Sequence, residues 1–213
     1  MVWFQDWQFF LDGFLYTLYI SFLGLLLTLL IGIAVGIALS GGKKWLKGIC
    51  RAYMSFFQNT PLMIQVFVFY NILPKVGIRL DVTAIGILSL SLYTGAYAAD
   101  IVDSSLRAVP LGQAEAATSQ GFSRMQVLFR VVLPQAVKVG LPAMTNQAVN
   151  LIKNSSVMAA IAGGELMYRT NSWSGSNLVY GPAFVMAGAL YLSICFPVSM
   201  LARHLEKRSV KGV

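Results

Sequence analysis

Polar and ionisable side chains recur at helical spacing inside two apolar segments of the chain. One set, at intervals of 4, 3, 4 and 3 residues, consists of Tyr93, Tyr97, Asp100, Ser104 and Arg107. The other set consists of Gln147, Asn150, Lys153 and Asn154. Each set falls on one helix face, and a charge inside an apolar segment is costly unless it is paired or functional. These faces predict either a polar path or pocket between two helices, or hydrogen bonds that only hold the helices together.

A path for a charged solute must offer partners for both signs of charge. Lys153 can face a carboxylate, and Asp100 can face an ammonium group. Pro61 frees a backbone carbonyl, which is tolerated at membrane depth only inside protein or along a cavity. The residues predicted to line the path are Gln58, Thr60, Tyr97, Asp100, Gln147, Asn150, Lys153 and Asn154. Asp103 and Arg107 are four residues apart, and we expect them to pair with each other instead.

The composition shows what kind of chain carries these faces. Of 213 residues, 57% are hydrophobic and 11% are charged, and the mean hydropathy is +0.68. Soluble domains have about 25% charged residues, and disordered chains are poor in apolar residues. The Lys and Arg residues that give the net charge of +8 lie mostly in short loops between apolar runs. This distribution disfavours nucleic-acid binding and indicates how the chain is oriented in a membrane. The sequence therefore predicts an all-α, polytopic membrane protein with a single domain, residues 1–213, and two free cysteines.

Five stretches are apolar enough to span a membrane, which takes about 20 residues. Their approximate bounds are 11–40, 52–73, 82–109, 139–162 and 178–201. The second stretch is expected to kink or break at 58–61. The first lacks the basic start of a signal peptide and is expected to remain as a helix. An odd number of spans without an internal repeat disfavours transporters built from inverted repeats.

The basic residues predict the orientation of these spans. The loop after the first stretch, the segment between the third and fourth, and the C-terminal tail each carry four Lys or Arg. The other side carries Lys75, Arg79 and Arg169. By the positive-inside rule, the N-terminus lies outside and the C-terminus in the cytoplasm. An aromatic start suits an outer membrane interface, and its residues are Trp3, Phe4, Trp7, Phe9 and Phe10.

The segment 110–134 is too polar to span and predicts a helix, a glycine turn and a second helix. Pro110 suits a helix start, and residues 113–120 favour a helix, with Glu115 expected in its first turn. Gly121 can supply a left-handed end, and Ser123 can cap a second helix toward Pro134. This pattern fits an amphipathic cover of the membrane surface as well as a docking element for another protein.

Three parts of this segment resemble a known signature. Glu115-Ala116-Ala117, Gly121 and Val131-Val132-Leu133-Pro134 have the spacing of the EAA motif of bacterial ABC importer permeases, with Val131 where isoleucine is usual. The resemblance implies a type I importer transmembrane domain whose coupling helix docks into a groove on a separate ATPase. The residues that it assigns to coupling are Gln113, Glu115, Ala116, Ala117, Gly121, Phe122, Leu133 and Pro134.

Four other stretches resemble polar amino-acid permeases of the histidine, glutamine and arginine type: 59–65, 96–101, 151–156 and 164–166. Asp103-Ser104-Ser105 and Asn154 depart from that pattern. The resemblance implies the membrane-spanning subunit of an ATP-driven amino-acid importer in a bacterial inner membrane. Its expected partners are a second permease subunit, identical or similar, two cytoplasmic ATPase subunits, and an outer binding protein. The binding protein would deliver the amino acid to an outer mouth that includes residues 165–177.

Other motifs define what the chain is not expected to do. It has no GxxxxGK[ST] loop, no cluster with metal-ligand spacing and no nucleophile–base pair, so we expect no enzyme activity and no cofactor in this chain, with ATP and Mg²⁺ on the partner ATPase. The Gly32–Gly36 pair fits packing within the subunit or dimerisation. Two alternatives stay open: a secondary transporter that uses Asp100 and Lys153 for ion coupling, and a membrane scaffold that recruits a cytoplasmic partner without transport.

Overall fold

The computed structural model describes residues 6–210, with side chains through 207, and this part of the chain is helical without strands. The main helices are α1 (Trp7–Gly41), α2 (Lys44–Gln58), α3 (Leu62–Ile72), α4 (Val82–Arg107), α5 (Leu111–Ser119), α6 (Arg124–Val127), α7 (Leu133–Asn154), α8 (Leu166–Asn177) and α9 (Tyr180–Val210). A π-helical turn, Leu128–Val132, joins α6 to α7, and two 3₁₀ turns follow α3 and α7, at Pro74–Val76 and Ser155–Ile161. Of the residues named in the sequence analysis, Trp3 and Phe4 lie outside the described residues.

Four helices of the described chain are long and apolar enough to cross a membrane: Trp7–Gly41, Val82–Arg107, Arg124–Ile161 and Tyr180–Lys207. The second of the five predicted stretches is not among these four helices, because it is not one continuous helix. That stretch forms α2 and α3, which are separate helices on either side of Asn59–Pro61. Pro61 lacks an N–H group and disfavours helical geometry in the residue before it, so the predicted break is complete. The 11 residues of α3 extend only about 16 Å.

Helices α1 and α4 run parallel and form the closest pair in the fold. Their contact depends on glycine, because a Cβ atom on Gly32 would lie 2.5 Å from Cβ of Ala98. A Cβ atom on Gly36 would lie 2.5 Å from Cβ of Val102. The two glycines are thus used for packing within this chain. Toward the other end, the hydroxyl groups of Tyr16 and Thr83 form a hydrogen bond, so both helices begin at the same end of the molecule.

Two buried clusters hold α3, α8 and the start of α9 to this pair. The first joins α1, α3, α4 and the 3₁₀ turn after α7, and it contains Ile20, Leu62, Val66, Ile85, Leu90, Met158 and Ile161. The second contains Phe10, Leu166, Trp173, Ala183 and Ala187. It fixes α8 and the start of α9 against the start of α1. The segment 110–134 follows the last residue of α4, so it lies at the end opposite to α8.

The sequence predicted two free cysteines, and Cys50 and Cys195 are both free thiols in the structure. The only histidine of the sequence, His204, is exposed in the last turns of the described part of α9. No group of three or more His, Cys, Asp or Glu residues in residues 6–210 has the arrangement of a metal site.

Candidate functional site

The segment 110–134 forms the predicted helix, glycine turn and second helix. After α5, the N–H of Phe122 donates to the carbonyl of Ala117 at 3.2 Å, and the N–H of Gly121 donates to that of Thr118 at 2.9 Å. These two bonds are a Schellman motif, which needs a left-handed residue at C′, the last position but one. Gly121 supplies it with φ of +85°. The turn is therefore specified by the chain itself and needs no partner to form.

Ser123 caps the second helix as predicted. Its hydroxyl accepts from the N–H of Gln126 at 3.4 Å, and its own N–H donates to Oε1 of Gln126 at 2.8 Å. This reciprocal capping box satisfies two N–H groups that a helix start leaves without partners. The short helix α6 thus begins at a defined residue, directly after the glycine turn.

The position predicted for Glu115 within its helix is wrong. Helix α5 begins at Leu111, so Glu115 is its fifth residue and lies beyond the first turn, where the helix dipole acts. The helix start itself was predicted within one residue, at Pro110, and only the distance from this start to Glu115 was misjudged. Glu115 is exposed, and its carboxylate has no ion pair within the described chain.

The residues assigned to coupling divide into two groups by exposure. Ala117 is buried and Phe122 is half-buried, and both hold the turn together. Gln113, Glu115 and Ala116 are exposed. Large apolar side chains nearby are also exposed, with Leu111 at 80% and Met125 at 62%. The outward face of α5 is thus a mixed surface of small, charged and apolar groups that no other part of the described chain covers.

Leu133 and Pro134 lie at the joint between this segment and the membrane. The second helix was predicted to run from Ser123 toward Pro134, and in the structure the helical path continues past Pro134, from Arg124 through Ile161. The π-helical turn Leu128–Val132 interrupts this path and places Pro134 near the start of α7, where a missing N–H is tolerated. The sequence analysis did not predict the π turn, since π turns carry no simple residue signature.

The polar residues near Pro61 come together with the polar face of α4. Nε2 of Gln58 donates to the carbonyl of Ala96 at 3.2 Å, and the hydroxyl of Tyr97 donates to the carbonyl of Gln58 at 3.3 Å. Gln65, which is buried, donates to the carbonyl of Phe57 at 3.0 Å and to Oγ1 of Thr60 at 2.7 Å. The break between α2 and α3 is therefore stabilised by side-chain amides.

The charged members of the two polar faces have different environments. Asp103 pairs with Arg107 at 3.0 Å, as predicted. Asp100 and Lys153 are exposed, and neither forms an ion pair in the part of the chain that the structure describes. Gln147, Asn150 and Asn154 are half-buried on the same helical segment as Lys153. The polar side chains of α4 and α7 thus stay wholly or partly open at the surface of the single chain, and we call them its polar surface.

Glu165 is the first residue of the segment 165–177 that was predicted to belong to an outer mouth. Glu165 has no exposed surface. Its carboxylate caps α8 by accepting from the N–H groups of Met167 at 2.6 Å and Tyr168 at 2.7 Å, and it accepts from the hydroxyl of Tyr191 at 3.0 Å. Burial raises the pKa of Glu165 to about 7, although these hydrogen bonds oppose the change. The Gly163-Gly164-Glu165 sequence before a helix was the available signal for this cap.

Three further contacts tie α8 to the start of α1 and to Asp6, the residue before it. Arg169 lies 3.5 Å from Asp12, and its guanidinium stacks over the ring of Phe9 at 5.0 Å from the centroid. Nε1 of Trp173 donates to the carboxylate of Asp6 at 2.8 Å. Within α8, the exposed residues therefore all follow Thr170, as Asn171 and Ser172 do.

Comparison with known proteins gives consistent matches over nearly the whole chain. Residues 28–211 match the family described as "Binding-protein-dependent transport system inner membrane component". The chain is 37% identical over 209 residues to the probable glutamine ABC transporter permease protein GlnM of Bacillus subtilis, covering 98% of this chain and 97% of that protein. It is 30% identical over 203 residues to the L-cystine transport system permease protein TcyB of the same organism, covering 95% and 87%.

Solved structures share the fold. A crystal structure of an amino acid ABC transporter with histidines has a TM-score of 0.88 and 26% identity, covering 96% of this chain and 95% of the solved one. The inward-facing MetNI methionine ABC transporter has a TM-score of 0.75 at 21% identity, covering 94% and 98%. This second likeness concerns the fold alone.

Proposed function

We propose a function on the premise that these matches supply: the chain belongs to the family of binding-protein-dependent transport system inner membrane components. It is a multi-pass membrane protein and a permease subunit of an ATP-driven ABC importer. Its proposed substrates are polar amino acids, because the relatives named for a substrate are glutamine and cystine permeases. ATP and Mg²⁺ are proposed to bind only to a partner ATPase.

The observation that carries this proposal is the open surface of α5. Its exposed residues Gln113, Glu115 and Ala116 stand on a helix whose end is fixed by the Schellman motif at Gly121. A preformed helix with a small residue on its outer face allows close approach by another backbone and loses little entropy on docking. We propose that α5 is the coupling helix and docks on a cytoplasmic ATPase subunit, with two such ATPases in the transporter.

The path proposed for the substrate is the polar surface that the single chain leaves open. Asp100 and Lys153 offer opposite charges, and Gln147, Asn150 and Asn154 offer hydrogen bonds. A second permease subunit, identical or similar, would enclose this surface; Bacillus subtilis has both a GlnM and a GlnP relative of this chain. A binding protein outside would deliver the amino acid at the end where α8 lies.

The helical path Arg124–Ile161 gives this proposal a mechanical link. It begins directly after the turn of α5 and carries Gln147, Asn150 and Lys153. When ATP binding closes the ATPases and α5 turns with them, the movement passes along one helix to the polar face. The path would then alternate between outward-open and inward-open states.

The test is uptake of labelled amino acids by vesicles that contain the permease, its ATPase and its binding protein. We expect uptake to require ATP, and we expect Asn150→Ala and Lys153→Ala to reduce it more than Asp103→Asn does, because Asp103 is already paired with Arg107. Recovery of the complex with its ATPase is the control. Uptake driven by an ion gradient without the ATPase would favour a secondary transporter, and partner binding without flux would favour a scaffold.

A further inference from the structure

An apolar groove with a volume of 490 Å³ opens between α1, α4 and the helical path that includes α7. Its walls are formed by Leu29, Ile33 and Ile37 of α1, by Ile101 of α4, and by Leu133 and Val137 of α7. All these helices are among those long enough to cross a membrane. The groove is separate from the polar surface proposed for the substrate, and the proposed function gives it no role.

Small residues create the groove, and large ones border it. A Cβ atom on Gly140 would lie 2.5 Å from the hydroxyl of Ser105, so α7 and α4 are in close contact there. Ala136, at 4% exposure, forms the floor. On the rim, Ile37 and Val137 are exposed by 53% and 52%. The result is an open slot with apolar walls rather than a closed packing defect.

The shape and lining of the slot suit a hydrocarbon chain. Along α7 and the π turn it extends from Phe129 to Met144, which is about 22 Å at the helical rise. Its lining has one polar side chain, Ser105, whose hydroxyl lies against Gly140. A polar amino acid would lose its hydration there without gaining partners. A flexible acyl chain would gain contacts along the entire length.

A cation lies at one end of the slot. Arg130 directly follows Phe129, the lining residue nearest to α5, and both belong to the π-helical turn Leu128–Val132. It is exposed and has no ion pair in the described part of the chain. A guanidinium recognises a phosphate through paired hydrogen bonds, and basic residues at a membrane surface attract anionic lipids by about 1 kcal/mol each.

We propose that this groove binds one acyl chain of an anionic phospholipid, with the headgroup at Arg130. The lipid would come from the leaflet at the end of the molecule where α5 lies. Since Phe129 belongs to the π-helical turn Leu128–Val132, the bound chain would touch the joint between the coupling segment and the membrane helix. The site would make that joint sensitive to the lipid composition of this leaflet.

Photolabelling with phosphatidylglycerol that carries a diazirine on its acyl chain tests the proposal. The purified permease with its ATPase is placed in nanodiscs containing a trace of the probe, and labelled peptides are identified by mass spectrometry. We expect labelling to concentrate in peptides covering 29–37 and 129–144. Val137→Trp, which fills the slot from its exposed rim, is expected to lower that labelling at least fivefold. Ala189→Phe, on an exposed position of α9, is the control and is expected to leave it unchanged.

The headgroup contact has its own pair of variants. Arg130→Gln is expected to lower labelling by phosphatidylglycerol at least threefold and to remove its advantage over an equivalent phosphatidylcholine probe. Arg124→Gln changes an exposed arginine of the same segment that lies on another face, and it is expected to have no effect. Labelling needs no transport, so its outcome is independent of whether the proposed amino-acid import is correct.

Three results would overturn the proposal. Uniform labelling of all spanning helices would show that the slot is ordinary lipid boundary. Equal labelling by both lipids in wild type and Arg130→Gln would remove the anionic headgroup. A disulfide between Val137→Cys residues of two permease copies, together with no labelling at 129–144, would assign the slot to a second copy of the chain.

Discussion

Two short helices at opposite ends of the molecule differ in how their polar and apolar groups are satisfied. Helix α8 is tied down by Glu165, Arg169 and Trp173, whose partners lie on its own backbone, on α1 and on α9. Helix α5 ends in its own turn at Gly121 and packs only on its inner side, against the segment that follows it, and its outward side chains are exposed. A helix that the fold has fully anchored serves the fold, whereas a preformed but uncovered helix presents a surface to a partner.

The two ends of the molecule also differ in whether their charged side chains are paired. At the α8 end, Arg169 is balanced by Asp12, and the carboxylate of Asp6 accepts a hydrogen bond from Trp173. At the α5 end, Glu115, Arg124 and Arg130 are exposed without ion pairs within the described residues. Unpaired surface charges contribute little to stability, but they set the rate and specificity of association. The comparison therefore predicts that mutations at α8 act on stability and mutations at α5 act on coupling.

The largest effect is expected for Glu165→Ala. It leaves the N–H groups of Met167 and Tyr168 and the hydroxyl of Tyr191 without an acceptor, and each loss costs about 1–3 kcal/mol in a buried site. Thermal unfolding of the purified permease should shift down by on the order of 10 °C. Glu115→Ala, the matched change on α5, should leave the transition in place. If both variants unfold at the wild-type temperature, the two ends do not differ as described.

Gly121→Val is expected to have the next largest effect, this time on coupling. A β-branched residue at φ of +85° is strained by about 1–3 kcal/mol, so the Schellman turn should open while the spanning helices remain inserted. ATP-driven uptake should fall at least tenfold at normal membrane abundance. Gly112→Ala is the control, because Gly112 lies inside α5 with open space around it. Normal uptake by Gly121→Val would remove the coupling role of this turn.

Glu115→Lys should have a smaller effect, which is confined to the binding of the partner ATPase. Since Glu115 lies past the first turn of α5, the helix should form normally, and only the charge of its exposed face changes. We expect roughly tenfold weaker binding of the ATPase, equivalent to about 1.4 kcal/mol, measured by titration of the detergent-solubilised permease. Glu115→Gln removes the charge but keeps the size of the side chain. Its affinity for the ATPase should lie between those of the wild type and Glu115→Lys. Unchanged binding in both variants would place the contact elsewhere on the segment.

The smallest expected effect is a pH dependence of stability at the α8 end. Because burial raises the pKa of Glu165 to about 7, the folded state keeps a proton that the unfolded chain releases at its ordinary pKa, about 4.3. Stability should therefore decline as pH rises from about 4.5 to 7 and level off above. Thermal unfolding over this range measures it, with Glu165→Gln expected to flatten the slope. An equal slope in wild type and Glu165→Gln would show that other groups cause it.

The contrast between the two helices also shows which features a sequence can predict. The Gly121 turn and the Ser123 cap were predictable, because each depends on residues within a few positions of one another. The break at Pro61 was predictable for the same reason, although not its consequence that α2 and α3 separate fully. The burial of Glu165 depends on Tyr191, which is 26 residues away, and local spacing does not report such contacts.

The polar path was predictable from the sequence only in part. Helical spacing placed Tyr97 and Asp100 on one face, and Gln147, Asn150 and Lys153 on another, as the structure has them. It did not show that Gln58 joins the face of α4 through Ala96 and Tyr97, because this contact follows from how α2 crosses α4. Nor did spacing indicate the π turn at Leu128–Val132, through which the coupling segment meets the membrane helix.

Cross-linking from the two helices tests the central claim most directly, since it asks which of them meets the ATPase. In a background without Cys50 and Cys195, Ala116→Cys on α5 and Ser172→Cys on α8 place one exposed thiol at each end of the molecule. A thiol–amine cross-linker is applied to the intact transporter. We predict that Ala116→Cys joins the ATPase subunit, and that Ser172→Cys does not but reacts with an impermeant thiol reagent added outside cells. Attachment of the ATPase to Ser172→Cys, or none to Ala116→Cys, would contradict the account.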